Sequence, residues 1–354
     1  MPLSTDAILD VSRINPLNHA GWDDLLLTNR QTSFFHTTHW ARVLRDSYNY
    51  IPVYFARIDR GKLKSLIPVM EIQSSLTGRR GVALPFTDNC FPIGISEVPS
   101  VKLLGEVQEY GATAGWKSIE LRGEGSLVLD QDTPASAIFL GHKLKLHRDI
   151  DAIYNKFHKG MKSAIKKGIR EGVEVSICSS MEALDAFYML NCLTRKLHGL
   201  PPQPHSFFKN IHKNVILNHL GFVSLATYKG SPVSGAVFFY FNKRAIYKYG
   251  ASDRAYQQLR ANNLTLYEGI RWCCENGFEE LCFGRSDMAN AGLIHFKNSF
   301  GTEQEIIRYY KYDVQRDKFI QGGPATIGFH NRIFRNLPLP VLKGIGALLY
   351  KHLG

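Results

Sequence analysis

The sequence predicts an α+β protein of two units, each a mixed central sheet flanked by helices. Three observations predict it. The 354 residues are long for one hydrophobic core. Hydrophobic residues make up 44% of the chain and charged residues 21%, the balance of a globular protein and not of a disordered one. One order of elements, helix, β-meander, helix, strand, runs through the chain twice, in kind of element and not in residue identity.

In the first unit, QTSFFHTTHWARVLRD (31–46) opens with polar capping residues. Trp40, Val43 and Leu44 then recur at helical spacing, which predicts a short amphipathic helix. YIPVYFARIDRGKLKSLIPVMEI holds two β-rich runs around Asp59-Arg60-Gly61-Lys62, a hairpin signal. GVALPFTDNCFPIG (81–94) reads as a strand and then a loop punctuated by Pro85, Pro92 and Gly94. Residues 99–116 read as helix, and WKSIELRGE (116–124) as strand. The second unit starts with KFHKGMKSAIKKGIREGVEV (156–175), read as a basic helix. MEALDAFYMLNCLTRKLHG (181–199) is a helix stopped by Gly199. GFVSLATYKGSPVSGAVFFYFNKRAIYKYGAS (221–252) gives three strands joined by the turns KGSP and FNKR. LTLYEGIRWCCENGF (264–278) is a helix ended by Gly277, and the strand EELCFG follows. The boundary falls within 146–155, giving one unit over 1–148, completed by the tail 318–354, and a second over 149–317.

A formal net charge of +12 points to a polyanionic partner: nucleic acid, phosphorylated metabolites or an anionic membrane face. No run approaches the ~18 uncharged apolar residues of a membrane span. MPLSTDAILDVSRINPLNH lacks the charged start and apolar stretch of a signal peptide, so a cytoplasmic location is expected. Cys90, Cys178, Cys192, Cys273, Cys274 and Cys282 form no CxxC pair and no zinc spacing. They read as free thiols in a reducing compartment, with no metal site and no tightly bound cofactor.

Two segments concentrate unusual charge. Lys159, Lys162, Lys166, Lys167 and Arg170 stand on the basic helix above a narrow stripe of Met161, Ala164, Ile165 and Ile169. A solvated face accounts for such a run; so does a partner whose phosphates neutralise lysines that otherwise repel one another. In FGRSDMANAGLIHFKNSFGTE (283–303), Lys297 stands among aromatics, either snorkelling over an apolar rim or placed as a cation for chemistry. Arg195, His198 and His205 flank the stiff loop LHGLPPQPHSFF, as pocket residues or as a helix end with solvent-facing histidines. Arg285 is suited to gripping a phosphate or carboxylate, or to pairing with Asp287. Tyr249 and Ser252 end the meander where it reaches a central cleft, although most strand tyrosines are packing. Asp88 and Asp253 are the candidate carboxylate bases, or turn caps. Nothing has the order of a Ser-His-Asp triad, a P-loop or Gly-x-Gly-x-x-Gly. The tail RIFRNLPLPVLKGIGALLYKHLG mixes Arg332, Arg335, Lys343 and Lys351 with Leu, Ile and Tyr. It suits a membrane interface beside a lipid-linked acceptor, or closure of the first unit's core.

Seven segments in order resemble the FemAB/FemX-type transferases, in the branch of exopolysaccharide-associated FemAB-like proteins. They are FHTTHW, the hairpin leading to LPFTDNCFPIG, KGMKSAIKKGIREGVEV, RKLHGLPPQPHSFF, the meander ending KYGASD, LRANNLTLYEGIRW, and FGRSDM followed by HFKNSFG. The tail is similar too, so the resemblance covers nearly the whole chain. It implies two tandem acetyltransferase-like (GNAT) domains and transfer of an aminoacyl group from aminoacyl-tRNA to an amine of a cell-wall precursor. It also implies a channel lysine in an FK-x-x-FG segment. Phe296-Lys297-Asn298-Ser299-Phe300-Gly301 match that segment. The chemistry agrees: attack of an amine on an ester builds an oxyanion, which a preplaced cation stabilises.

CoA-binding GNAT enzymes cradle pyrophosphate in a Q/R-x-x-G-x-G/A loop at a helix N-terminus. The equivalent stretch, AYQQLRANN, offers Gln257 but sets Arg260 and Asn262 where glycines belong, and residues 94–106 show no such loop either. Arg260 remains able to bind a phosphate. Three functions are therefore in view: tRNA-dependent aminoacyl transfer, acyl-CoA-dependent N-acylation of a surface-polysaccharide sugar, and a non-catalytic tRNA- or membrane-binding module.

Overall fold

Two of the three predicted hairpins turn through a Gly that follows a residue at positive φ. Arg60 (φ 47°) and Gly61 (φ 71°) carry one, and Lys229 (φ 50°) and Gly230 (φ 77°) the other, the paired positive φ that matches the twist of the flanking strands. The computed structural model describes residues 11–94, 100–123, 129, 132–322 and 330–354. Its strands are β1 (Ser12–Ile14), β2 (Ile51–Asp59), β3 (Lys62–Ser74), β4 (Gly78–Val82), β5 (Ser118–Arg122), β6 (Ala137–Lys145) and β7 (Glu174–Cys178). They continue with β8 (Gly221–Tyr228), β9 (Ser231–Phe241), β10 (Arg244–Ser252), β11 (Glu280–Asp287), β12 (Glu303–Asp313) and β13 (Lys318–Ile320). All join one sheet in the order β1-β2-β3-β4-β5-β12-β6-β11-β10-β9-β8-β7, with β13 beside β12.

The duplication expected from the order of elements is visible in the pairing. β2, β3 and β4 are antiparallel and β4 then runs parallel to β5. Likewise β7 through β10 are antiparallel and β10 runs parallel to β11. Two strands that the sequence left unassigned join these halves. β6 pairs with β11, β12 pairs with β5, and β6 and β12 pair with each other. A division at 148/149 thus leaves β6 and β12 each on the far side from its outer neighbour.

Two further differences have local causes. The basic helix runs only over Lys159–Arg170, because Gly172 turns at φ 79° and the apolar-polar alternation of EVSIC makes β7. His205–Asn214 is a helix following the Pro-rich loop, buried through Phe207, Phe208 and Ile211. The helix Thr38–Tyr48, capped by the Thr37 hydroxyl, buries Trp40 against Phe34 and Phe239, so one aromatic core serves both halves. Helix Ala261–Glu275 covers β8 and β9 and packs on the basic helix, close enough that a Cβ on Gly168 would lie 3.3 Å from Leu264. The C-terminal helix Leu339–Leu353 packs on β3 and on helix Met181–Leu197, and so touches both halves.

Candidate active site

β10 and β11 pair only where Arg244–Ile246 meets Glu280–Cys282. Beyond that point side chains occupy the space between the two strands. Gly284 (φ +69°) lies where the β6–β11 register shifts, and a Cβ there would come within 3.0 Å of Asp88 Oδ2. The FGRSD stretch thus needs glycine for both backbone and space. Gly284→Ala should cost about 1–2 kcal/mol, read as a lower urea midpoint at unchanged slope. Next to it, the Arg285 guanidinium stacks 3.9 Å from the Phe139 ring centre and 4.7 Å from that of Tyr309.

Lys297 is the one buried residue of helix Ala291–Asn298, 4% exposed, and Nζ donates to the Arg285 carbonyl at 2.8 Å. Lys248, 6% exposed at its side chain, donates to Asp88 Oδ2 at 2.9 Å. Burial pulls the Lys297 pKa down to about 8; Asp88 and Cys282 pull it up, and Lys248 and Arg285 push it down again. It remains mostly protonated at pH 7. Burial alone would raise Asp88, but Lys248, Arg285 and Lys297 together hold its carboxyl below the usual range. Such a carboxylate is a poor proton acceptor and a good counter-ion, so its setting differs from that of the expected base.

His142, fully buried on β6, sets Nδ1 3.2 Å from Asn298 Oδ1. Burial, and then the Lys297 charge, lower its pKa to about 4, so the ring is neutral. Its Nε2 has no hydrogen-bond partner among the described residues. Lys248 and His142 were not singled out in the sequence, where nothing but tertiary pairing distinguishes them.

Next to this cluster runs a groove of two adjoining cavities, about 490 and 600 Å³. The first is lined by Thr194, His198, Ser252, Gln257, Asn262 and neighbours; the second by His158, Gly160, Ser163, Lys167 and His295. Arg260, Asn263 and Phe296 line both. Arg260 holds φ 59° at the start of helix Ala261–Glu275, and no side chain caps that helix. The backbone follows the left-handed path of a glycine there, leaving the first amides of the helix toward the groove, the arrangement that suits an anion.

The predicted residues therefore separate into groups. Asp88, Arg285 and Lys297 come together, and Lys297 follows the groove residue Phe296 in sequence. Arg260, His198, Ser252 and Phe296 line the groove, with Lys167. Lys159, Lys166 and Arg170 face solvent, while Lys162 donates to the Asn155 carbonyl and lies over the Tyr154 ring. Arg195 reaches neither group: it donates to Pro201 O and Tyr350 Oη, tying down the C-terminal helix. Tyr249 packs on Phe208 with Lys248 over its ring. His205 pairs with Asp185, and Asp253 caps the turn at Ala255, away from the charge cluster. Residues 95–99, in the stretch where the sequence shows no phosphate loop, and the N-terminal ten lie outside the described residues. Among the described residues no group of three or more His, Cys, Asp or Glu is arranged for a metal, all six cysteines are free, and no helix is long and apolar enough to cross a membrane.

A family model for an acetyltransferase (GNAT) domain matches residues 155–298, which carry the basic helix, the groove and Lys297. No curated protein matches the chain. Among solved structures, FemX is similar with a TM-score of 0.64 at 14% identity, over 84% of this chain and 96% of FemX. A tandem GNAT protein from the clavulanic acid biosynthesis pathway is similar at 0.53 and 10% identity, over 86% and 98%. L-PGS from Bacillus licheniformis is similar at 0.50 and 12% identity, over 89% and 92%. At such identities the likeness is one of fold. The chain thus shares the overall fold of FemX and of a tandem GNAT protein, and its residues 155–298 match an acetyltransferase (GNAT) domain.

Proposed function

We propose that the protein is an acyltransferase that moves an aminoacyl group from aminoacyl-tRNA to an amine of a peptidoglycan or cell-surface glycan precursor. One observation carries the reading: a groove with cations and open helix amides adjoins a buried, protonated lysine through consecutive residues, Phe296 and Lys297. Donor phosphates would take the amides at Ala261 and Asn262 with the Arg260 guanidinium. The ester carbonyl would pass Phe296 toward Lys297. Attack by the acceptor amine forms a C–N bond and sends an electron pair to the carbonyl oxygen, where the Lys297 ammonium compensates the new charge. Collapse then breaks the ester C–O bond, and the proton lost by the amine goes to the departing ribose oxygen. Lys297 gives one N–H to Arg285 O, which leaves two to serve the oxyanion.

The choice of tRNA over an acyl-CoA rests on the solvent-facing Lys159, Lys166 and Arg170, which extend the positive surface past what one cofactor would cover. The combined Lys159→Gln, Lys166→Gln, Lys167→Gln and Arg170→Gln variant should bind aminoacyl-tRNA more weakly at fixed salt. Its slope of log affinity against log salt should be shallower by about 3. Acetyl-CoA and longer acyl-CoAs, measured beside it, should bind less well than tRNA. Tight acyl-CoA binding without preference for tRNA would replace this donor with an acyl-CoA and point to N-acylation of a polysaccharide sugar.

A further inference from the structure

The C-terminal helix Leu339–Leu353 is apolar around most of its circumference. One face buries Leu342, Gly346 and Tyr350, held by hydrogen bonds from Tyr50 and Arg195 to Tyr350. The opposite face leaves Val341 and Leu348 in solvent, Leu348 at 67% exposure. A helix without a polar face is normally covered on all sides. Helix Met181–Leu197 adds an exposed line at four-residue spacing, Met189 (48%), Leu193 and Leu197. The two helices are in contact, with Lys343 Nζ 3.5 Å from Met189 Sδ on the side of the C-terminal helix away from Val341 and Leu348. Helix His330–Asn336 closes the far end: it contacts helix Met181–Leu197 and exposes Ile333, and a Cβ on Gly199 would strike the Asn331 carbonyl.

The charge beside these residues is mostly positive. Residues 330–354 hold Arg332, Arg335, Lys343 and Lys351 and no acid. Helix Met181–Leu197 brings two acids, the exposed Glu182 and Asp185, which is paired with His205. Exposed Leu, Ile, Val and Met rimmed by Arg and Lys is the pattern of a surface lying in a membrane interface, with apolar groups at the acyl boundary and cations at anionic headgroups. We infer that this face, formed by the three helices, docks the protein onto an anionic lipid surface. Leu197 and His198 line the groove as well, so docking would bring one rim of the groove to the bilayer. The inference does not depend on the identity of the donor.

Flotation of the full chain with vesicles of phosphatidylglycerol and phosphatidylcholine tests it. Wild type should float with these vesicles and much less with phosphatidylcholine alone. Val341→Ser with Leu348→Ser, both at exposed sites, should weaken binding about tenfold or more. Each of Arg332→Gln, Arg335→Gln and Lys351→Gln should weaken it about fivefold at low salt. The four-site variant of the basic helix should keep its sensitivity to the Val341 and Leu348 changes, which separates this face from the tRNA surface. No flotation at low salt would overturn the inference, as would flotation indifferent to the Val341 and Leu348 changes. So would a dimer in sedimentation that those changes dissolve, since a second copy would then cover the face.

Discussion

Lys297→Ala should lower acyl transfer about 100- to 1,000-fold while leaving tRNA affinity within about twofold, the signature of a group used at the transition state. The measurement is transfer of a labelled aminoacyl group from bulk charged tRNA onto an envelope-precursor extract, beside binding of the same tRNA. The argument rests on an unfavourable burial. With a folded pKa near 8 against an ordinary 10.5, Lys297 costs stability at pH 7, and that cost falls as pH rises from about 8 to 10.5. The difference corresponds to about 3 kcal/mol, less about 1 kcal/mol for the Arg285 carbonyl that Lys297 satisfies. Lys297→Met, which keeps the volume, should therefore be more stable than wild type at pH 7 by about 2 kcal/mol and inactive. A lysine retained against stability is one kept for its charge. The alkaline limb of the wild-type rate should fall through about pH 8 as that charge is lost. Unchanged transfer in Lys297→Ala would take Lys297 out of the chemistry, and a rate rising through pH 8 would make the neutral amine a base instead.

What the sequence made legible follows local pattern. The hairpin at Arg60-Gly61, the helix with Trp40 and the helix ending before Gly277 each have a period and a turn that need no distant partner. Lys297 was found because aromatics surround it in the chain, while the groups that meet it in the fold, Arg285 O and Asp88, come from other segments. β6 and β12 were not found, since their alternation is weak and their partners lie at the far end of the other half. That crossing explains what was missed at the site. His142 belongs to β6 and Lys248 to a strand singled out only for Tyr249 and Ser252, and each acquires meaning only where β10 leaves β11. Arg195 was singled out for its loop, but its guanidinium is taken by a tyrosine 155 residues away, which no local reading detects. The basic helix shows a smaller version of the same limit: the run of like charge was plain, yet which lysine meets the groove depends on how Gly168 sits against Leu264.

Asp88→Asn should destabilise the protein by about 3 kcal/mol at pH 7, or roughly 4 °C in Tm, although the substitution changes neither shape nor size. The amide can still accept from Lys248, so the loss is one of charge. Asp88 is the anion among Lys248, Arg285 and Lys297, and two of these are almost wholly buried. Removing it leaves cations facing one another away from water. The pH dependence separates this from a packing defect. Asp88 has a folded pKa below its unfolded one, so its contribution is present above the ordinary carboxylate range and is lost as pH falls through the folded value. The gap between wild type and variant should therefore narrow in acid. It should narrow again above about pH 8, where Lys297 sheds its proton and needs the anion less. Asp88 also raises the Lys297 pKa, so in Asp88→Asn the alkaline fall in transfer should begin at lower pH than in wild type. Thermal melts of both proteins across this range would show a maximum in their difference near neutrality. A difference below about 1 °C, or one flat with pH, would mean that the cluster tolerates its cations without Asp88 and that the charge at Lys297 is set by burial alone.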